Sequence, residues 1–78
     1  MRARREAHDP VVEARVYVDD PGVVFVFNGR FWTPVRREDV PDVVVPVVTV
    51  VANGRRYICR NATLEEALAG YEKCGAAP

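Results

Sequence analysis

The sequence contains no serine and a single histidine among its 78 residues. A serine nucleophile is therefore excluded. His8 lies in a charged N-terminal stretch, where no packed neighbours are expected to orient it as a general base. Asp19 and Asp20 are adjacent turn residues whose side chains would point apart. Because no set of residues meets the requirements of a catalytic site, we expect a protein that is not an enzyme and has no cofactor.

Residues that bind metals are also scarce. His8 and the two cysteines are too far apart in the chain to match a metal-binding motif. Cys59 is predicted to be a small core residue that faces Val48. If the C-terminal helix starts beside Cys59 and runs back along the last strand, Cys74 ends about 15 Å away. A disulfide needs Cα atoms within ~7 Å, so we expect no internal bridge, although Cys74 could cross-link two copies under oxidation.

Net charge and long apolar runs are absent as well. Eleven basic and eleven acidic residues cancel, so no global field favours nucleic acid or an anionic membrane. The stretch VVVPVVTVVA is too short to span a membrane and contains a proline. The charged start of the chain does not resemble a secretion signal. These features predict a cytoplasmic protein with reduced thiols and no membrane partner.

Valine, in contrast, is abundant, and its branched Cβ favours strands. Two Asn-Gly pairs, Asn28-Gly29 and Asn53-Gly54, each lie between strand-forming residues and predict two-residue hairpin turns. This turn role explains the repeated NGR motif better than a repeated binding element does. The stretch DDPG (19–22) predicts a further turn, and Pro46 is expected at a strand start, a bulge or an edge. The predicted strands are 11–18, 23–27, 30–35, 46–52 and 55–60.

The end of the domain predicts an amphipathic helix over 64–74. Thr63 and Glu66 form a capping-box pattern, and Gly75 is suited to end the helix in the left-handed conformation. The apolar residues that share one helical stripe are Leu64, Ala67, Leu68 and Tyr71.

Five strands followed by one helix, with mostly short connections, predict a single α+β domain. We expect a five-stranded antiparallel meander, strongly bent or partly barrel-like, with the C-terminal helix packed on one face. The predicted divisions are a flexible Arg-rich arm (1–10), the domain itself (11–75) and a short tail (76–78).

The first hairpin is apolar on both of its predicted faces. Val23, Phe25, Phe27, Arg30 and Trp32 share one face, and Val24, Val26, Phe31 and Thr33 share the other. One short helix covers only one side of a sheet. The second side is therefore expected to be covered by closure into a barrel, by dimerisation through this face or an edge strand, or by another protein.

The favoured function is a small protein-interaction or regulatory module, self-associating through an apolar sheet face as a homodimer. Arg and aromatic residues are enriched at binding hot spots. For Trp32 itself, a place in the core under the helix is the preferred interpretation. The predicted interface residues are Phe25, Val26, Phe27, Arg30, Phe31 and Trp32.

The alternative function is binding of single-stranded nucleic acid by sheet arginines and the N-terminal arm. The residues predicted for this role are Arg2, Arg4, Arg5, Arg30, Arg56 and Arg60. Zero net charge and the absence of a nucleic-acid-binding motif place this alternative second.

Overall fold

A computed structural model of the protein describes residues 11–75, which form five strands and one helix. The predicted arm (1–10) and tail (76–78) lie outside the described residues. The elements are β1 (Glu13–Tyr17), β2 (Asp20–Phe27), β3 (Trp32–Arg36), β4 (Val45–Ala52), β5 (Arg55–Ala62) and α1 (Leu64–Cys74), with a 3-10 turn at Arg37–Asp39.

The sheet is mixed, with the strand order β3-β2-β1-β4-β5. β1 pairs antiparallel with β2 but parallel with β4. The expected purely antiparallel meander is therefore wrong. The reason is the connection 37–44, which carries the chain from β3 past β2 and β1 instead of turning it back. Crossing three strand spacings needs about 14 Å, which eight residues span easily.

The second hairpin has the predicted turn, and the first does not. Asn53 and Gly54 both have positive φ, at 52° and 75°, and Ala52 pairs with Arg55. In the first hairpin, Phe27 pairs with Trp32, so the loop has four residues instead of two. The Asn28 side chain accepts hydrogen bonds from two backbone N–H groups inside this loop, which explains the wider turn.

The predicted turn at 19–22 is displaced. β2 already begins at Asp20, and Gly22 is not among the glycines with positive φ. Pro46 is the second residue of β4, in agreement with the expected position near a strand start.

The core lies between the sheet and a layer formed by α1 and the 37–44 crossover. Val16, Val24, Val48 and Val50 are fully buried on this side of the sheet, together with Leu64 of the helix and other small residues. The sheet does not close into a barrel. Since α1 and the crossover lie on the same side, the opposite face of the sheet has no cover from residues 11–75.

The helix spans 64–74 as predicted, but Gly75, with φ 102° and ψ 135°, does not adopt the predicted left-handed helical conformation. Thr63 and Glu66 form both hydrogen bonds of the capping box, at 3.0 and 3.1 Å. Gly70 departs from helical geometry inside the helix.

Cys59 and Cys74 form a disulfide with a Cα–Cα distance of 5.0 Å, so the prediction of no internal bridge is wrong. The prediction started the helix beside Cys59, but β5 continues to Ala62. The five steps from Cys59 to Leu64, which are extended except at Asn61 (φ 54°), carry the chain up to about 16 Å away, and ten helical steps return it by about 15 Å. The two distances cancel, and Cys74 arrives beside Cys59.

Candidate interaction face

The uncovered side of the sheet, here called the open face, carries three outward side chains from each of the five strands. The strand pairing places ten of them in two continuous rows from one edge of the sheet to the other, while an irregularity between Val16 and Tyr17 interrupts the third row, where Tyr17 pairs with Asp20. The members are Trp32, Pro34 and Arg36 of β3, Val23, Phe25 and Phe27 of β2, Glu13, Arg15 and Tyr17 of β1, Val47, Thr49 and Val51 of β4, and Arg56, Ile58 and Arg60 of β5.

Four aromatic rings concentrate on the β1–β3 half of the open face. Tyr17 and Phe25 meet edge to face with ring centroids 6.3 Å apart, and Phe27 and Trp32 lie 5.1 Å apart. Phe25 and Trp32 remain 36% and 39% exposed. Contact with a partner would remove this aromatic surface from water, which is favourable in proportion to the buried apolar area.

Arg15 lies at the centre of the open face. Its guanidinium carbon is 5.0 Å from the centroid of the Trp32 ring, a cation–π contact. Its Nε is buried and has no hydrogen-bond partner among residues 11–75. Arg15, Tyr17, Phe25 and Trp32 line a shallow hollow of about 250 Å³. The hollow therefore combines apolar walls with an incompletely satisfied cation.

The remaining charges of the open face lie around this centre. Arg36 is in the edge strand β3, and Arg56 and Arg60 are in the opposite edge strand β5. Glu13, which is two residues from Arg15 on the same strand, is the acidic residue of this face. The face thus has an apolar interior with basic margins and one pair of opposite charges on its middle strand.

The predicted interface residues divide between two surfaces. Phe25, Phe27 and Trp32 are on the open face, whereas Val26 is on the covered side and packs against the core. The preferred core placement of Trp32 is wrong, because the side chain points away from the helix. The predicted face assignment of these strands is otherwise retained, since widening the hairpin loop moved the pairing by an even number of residues.

Arg30 and Phe31 belong to the hairpin loop instead of a strand. Phe31 is 61% exposed, and the Arg30 guanidinium carbon lies 6.0 Å from its ring centroid. This pair borders the open face at the end where β2 turns into β3.

The residues predicted for nucleic-acid contact are also separated. Arg56 and Arg60 are both on the open face, in the edge strand β5. Arg30 is in the β2–β3 hairpin loop, at the opposite edge of the sheet. Arg2, Arg4 and Arg5 lie outside the described residues.

Sequence reasoning missed Arg15 and Tyr17. The alternation in EARVY puts Glu13, Arg15 and Tyr17 on one side and two buried residues, Ala14 and Val16, on the other. That signal was present in the sequence. The sequence-based prediction makes β1 the first strand of a meander, whereas it is the middle strand of the sheet, and this difference hides the importance of Arg15 and Tyr17.

A second hollow, of about 170 Å³, lies between the crossover and the start of α1. Its charged lining residues are Arg37, Glu38, Asp42 and Glu65, so both signs are present side by side. This mixture does not favour one class of ligand.

Comparison with protein families, curated proteins and solved structures gives no match for this chain. Within residues 11–75, no helix is long and apolar enough to cross a membrane. The same part of the chain has no cluster of three or more histidine, cysteine or acidic side chains that could hold a metal ion.

Proposed function

We propose that the protein is a small non-enzymatic interaction module that self-associates through the open face of its sheet. The observation that carries this proposal is the aromatic cluster around Arg15, which is partly exposed and has no cover from the described chain. Exposed apolar patches on a single domain usually mark interaction sites. Tryptophan, tyrosine and arginine are the residues most often found at binding hot spots.

The two edge strands of the sheet are less suited to self-association than the open face is. On β5, the Ile58 N–H points out of the ladder and donates to the Gly75 carbonyl at 3.2 Å, so the helix terminus occupies part of this edge. β3 is only five residues long and contains Pro34, which has no N–H to donate. Short strands, prolines and covering segments are common protections against edge pairing. Association through the open face is therefore favoured over strand addition.

Phe25→Asp tests the proposal, because it places a carboxylate in the aromatic cluster. We expect the wild type to dimerise at micromolar to millimolar concentration and Phe25→Asp to remain monomeric. The measurement is light scattering over a concentration series without reductant, so that the Cys59–Cys74 bridge stays closed.

Val44→Asp is the matched control. Val44 is 61% exposed in the crossover and is not one of the open-face side chains, and the same substitution there should leave association unchanged. A wild type that stays monomeric throughout the series would disprove self-association. Equal loss of association in both variants would show that the open face is not the contact.

Binding of single-stranded nucleic acid is the second candidate. It is favoured by the presence of Arg36, Arg56 and Arg60 on the same face as the aromatic rings, since bases stack on aromatics and phosphates pair with arginines. Retention on a single-stranded oligonucleotide at low salt, falling steeply as salt is added, is the expected result. Absence of retention at low salt would eliminate this candidate.

A further inference from the structure

The centre of the open face contains a cation that has no carboxylate partner within the described chain. The Arg15 Nε is buried without a hydrogen bond, and its guanidinium is stacked on Trp32. Arg15 makes no ion pair with another described residue. Covering this face with a purely apolar partner would bury the charge completely, which is costly unless a carboxylate accompanies it. The occupant of the face must therefore supply an acidic group at this point.

A second copy of the chain has such a group in a suitable position. Glu13 and Arg15 are successive outward residues of β1, and β1 is the middle strand of the five. A half-turn about an axis between two stacked open faces, running across the strands at Ala14, exchanges these two positions. Each Glu13 then lies opposite Arg15 of the other copy.

We propose that the open face forms a two-fold symmetric homodimer in which Glu13 and Arg15 of the two copies pair reciprocally. This inference rests on the proposed self-association and specifies which residues of the two copies face each other. Two-fold interfaces use the same patch on both subunits, so a single pair of opposite charges near the axis is satisfied twice. The alternative two-fold axis, parallel to the strands, would place Glu13 over Glu13 and Arg15 over Arg15, and like charges would repel.

The same half-turn also matches the apolar side chains. It brings Phe27 opposite Phe25 and Trp32 opposite Pro34 of the other copy, because these residues occupy the same two rows as Glu13 and Arg15. The aromatic β1–β3 half of one open face then packs on the same half of the other copy. Stacked sheets lie about 10 Å apart and cross at about −30°. Facing side chains therefore align most closely near the two-fold axis and less closely toward the edges of the two sheets.

The size of the face sets the expected strength. About this axis, the ten side chains in the two rows of Glu13 and Arg15 lie opposite each other, fewer than the roughly 20–30 residues a side of a standard interface. We therefore expect a dissociation constant in the micromolar range instead of the nanomolar range.

Charge reversal tests the register. In a Glu13→Arg dimer, each new arginine lies opposite Arg15 of the other copy. In an Arg15→Glu dimer, each new carboxylate lies opposite Glu13 of the other copy. Each variant alone should dimerise at least about tenfold more weakly than the wild type. The measurement is sedimentation velocity on the full chain from about 1 µM to about 1 mM, with circular dichroism to verify folding.

Mixing the two variants provides a second arm. In the mixed dimer, both arginines of the Glu13→Arg chain face the two carboxylates of the Arg15→Glu chain. The mixture should therefore associate more strongly than either variant alone. Should a charge-reversed chain fail to fold, Glu13→Gln removes both carboxylates without adding repulsion, leaves each Arg15 unpaired in the interface, and should also weaken the dimer by at least about tenfold.

The outcomes separate this inference from the proposed function. A monomeric wild type would overturn both. A dimer that is lost in Phe25→Asp but is unaffected by the charge reversals, or is not restored by mixing, would retain the open face and overturn the Glu13–Arg15 register. Dimer formation that persists in Phe25→Asp would place the contact elsewhere and overturn both.

Discussion

At the scale of single residues, backbone conformation separates the two Asn-Gly pairs. Asn53 and Gly54 both have positive φ, the conformation that a two-residue turn requires. In the first pair, Gly29 has φ 102° but Asn28 uses its side chain to hold a wider loop. The same dipeptide therefore performs two tasks, and the neighbours Arg30 and Phe31 are placed in a loop as a consequence.

Gly54→Ala should destabilise the protein, since an alanine at φ 75° brings its Cβ close to the backbone. We expect the free energy of unfolding to fall by about 1 kcal/mol. Chemical denaturation at fixed protein concentration is the measurement.

Gly22→Ala is the matched control for this substitution. Gly22 does not have positive φ, and an added Cβ would meet no atom within 4 Å. Alanine there should leave stability unchanged or raise it by up to about 0.5 kcal/mol, through the unfolded chain. Equal losses in the two variants would contradict a conformational origin of the effect.

At the scale of elements, the attachment of α1 to β5 is the strongest local constraint. The Cys59–Cys74 bridge, the Tyr57–Tyr71 ring contact and the hydrogen bond from Ile58 to Gly75 all join the end of the helix to this strand. A disulfide needs oxidising surroundings, whereas the sequence-based expectation of a cytoplasmic location implies reduced thiols. The location stays a prediction, and the bridge argues against the reduced state.

Cys74→Ala should lower the free energy of unfolding by about 3 kcal/mol, the chain-entropy value for a loop of this length. Cys74 is exposed, so removing its sulfur leaves no cavity in the core. Denaturation is measured with and without dithiothreitol. Reductant should lower the stability of the wild type by a similar amount and leave Cys74→Ala unchanged. A wild type that does not respond to reductant would show that the bridge adds no stability.

At the scale of the whole molecule, the sheet has one covered face and one open face. α1 and the 37–44 crossover both lie on the core side, and the aromatic cluster around Arg15 lies on the other. A small domain with half of its sheet uncovered gains stability when association covers that half. Folding and self-association are therefore expected to be coupled.

Coupling predicts that the melting temperature of the wild type rises with protein concentration. We expect about 3 °C for each tenfold increase above the dissociation constant, because mass action favours the dimer. Differential scanning calorimetry over a hundredfold concentration range is the measurement. Phe25→Asp should show no such dependence, and a wild-type melting temperature that is independent of concentration would contradict the coupling.

The sequence by itself determined the local features: five strands, the capped helix over 64–74, the Asn53-Gly54 turn, and the side of its strand on which each of Phe25, Phe27 and Val48 lies. These depend on neighbouring residues, on backbone preferences and on the period-two alternation of strands. Tertiary structure decided the strand order, the Cys59–Cys74 bridge and the central position of Arg15. These depend on where the 37–44 crossover carries the chain, and a connection of that length is compatible with several strand orders. Since the candidate site combines residues from non-consecutive strands, only the folded sheet brings it together.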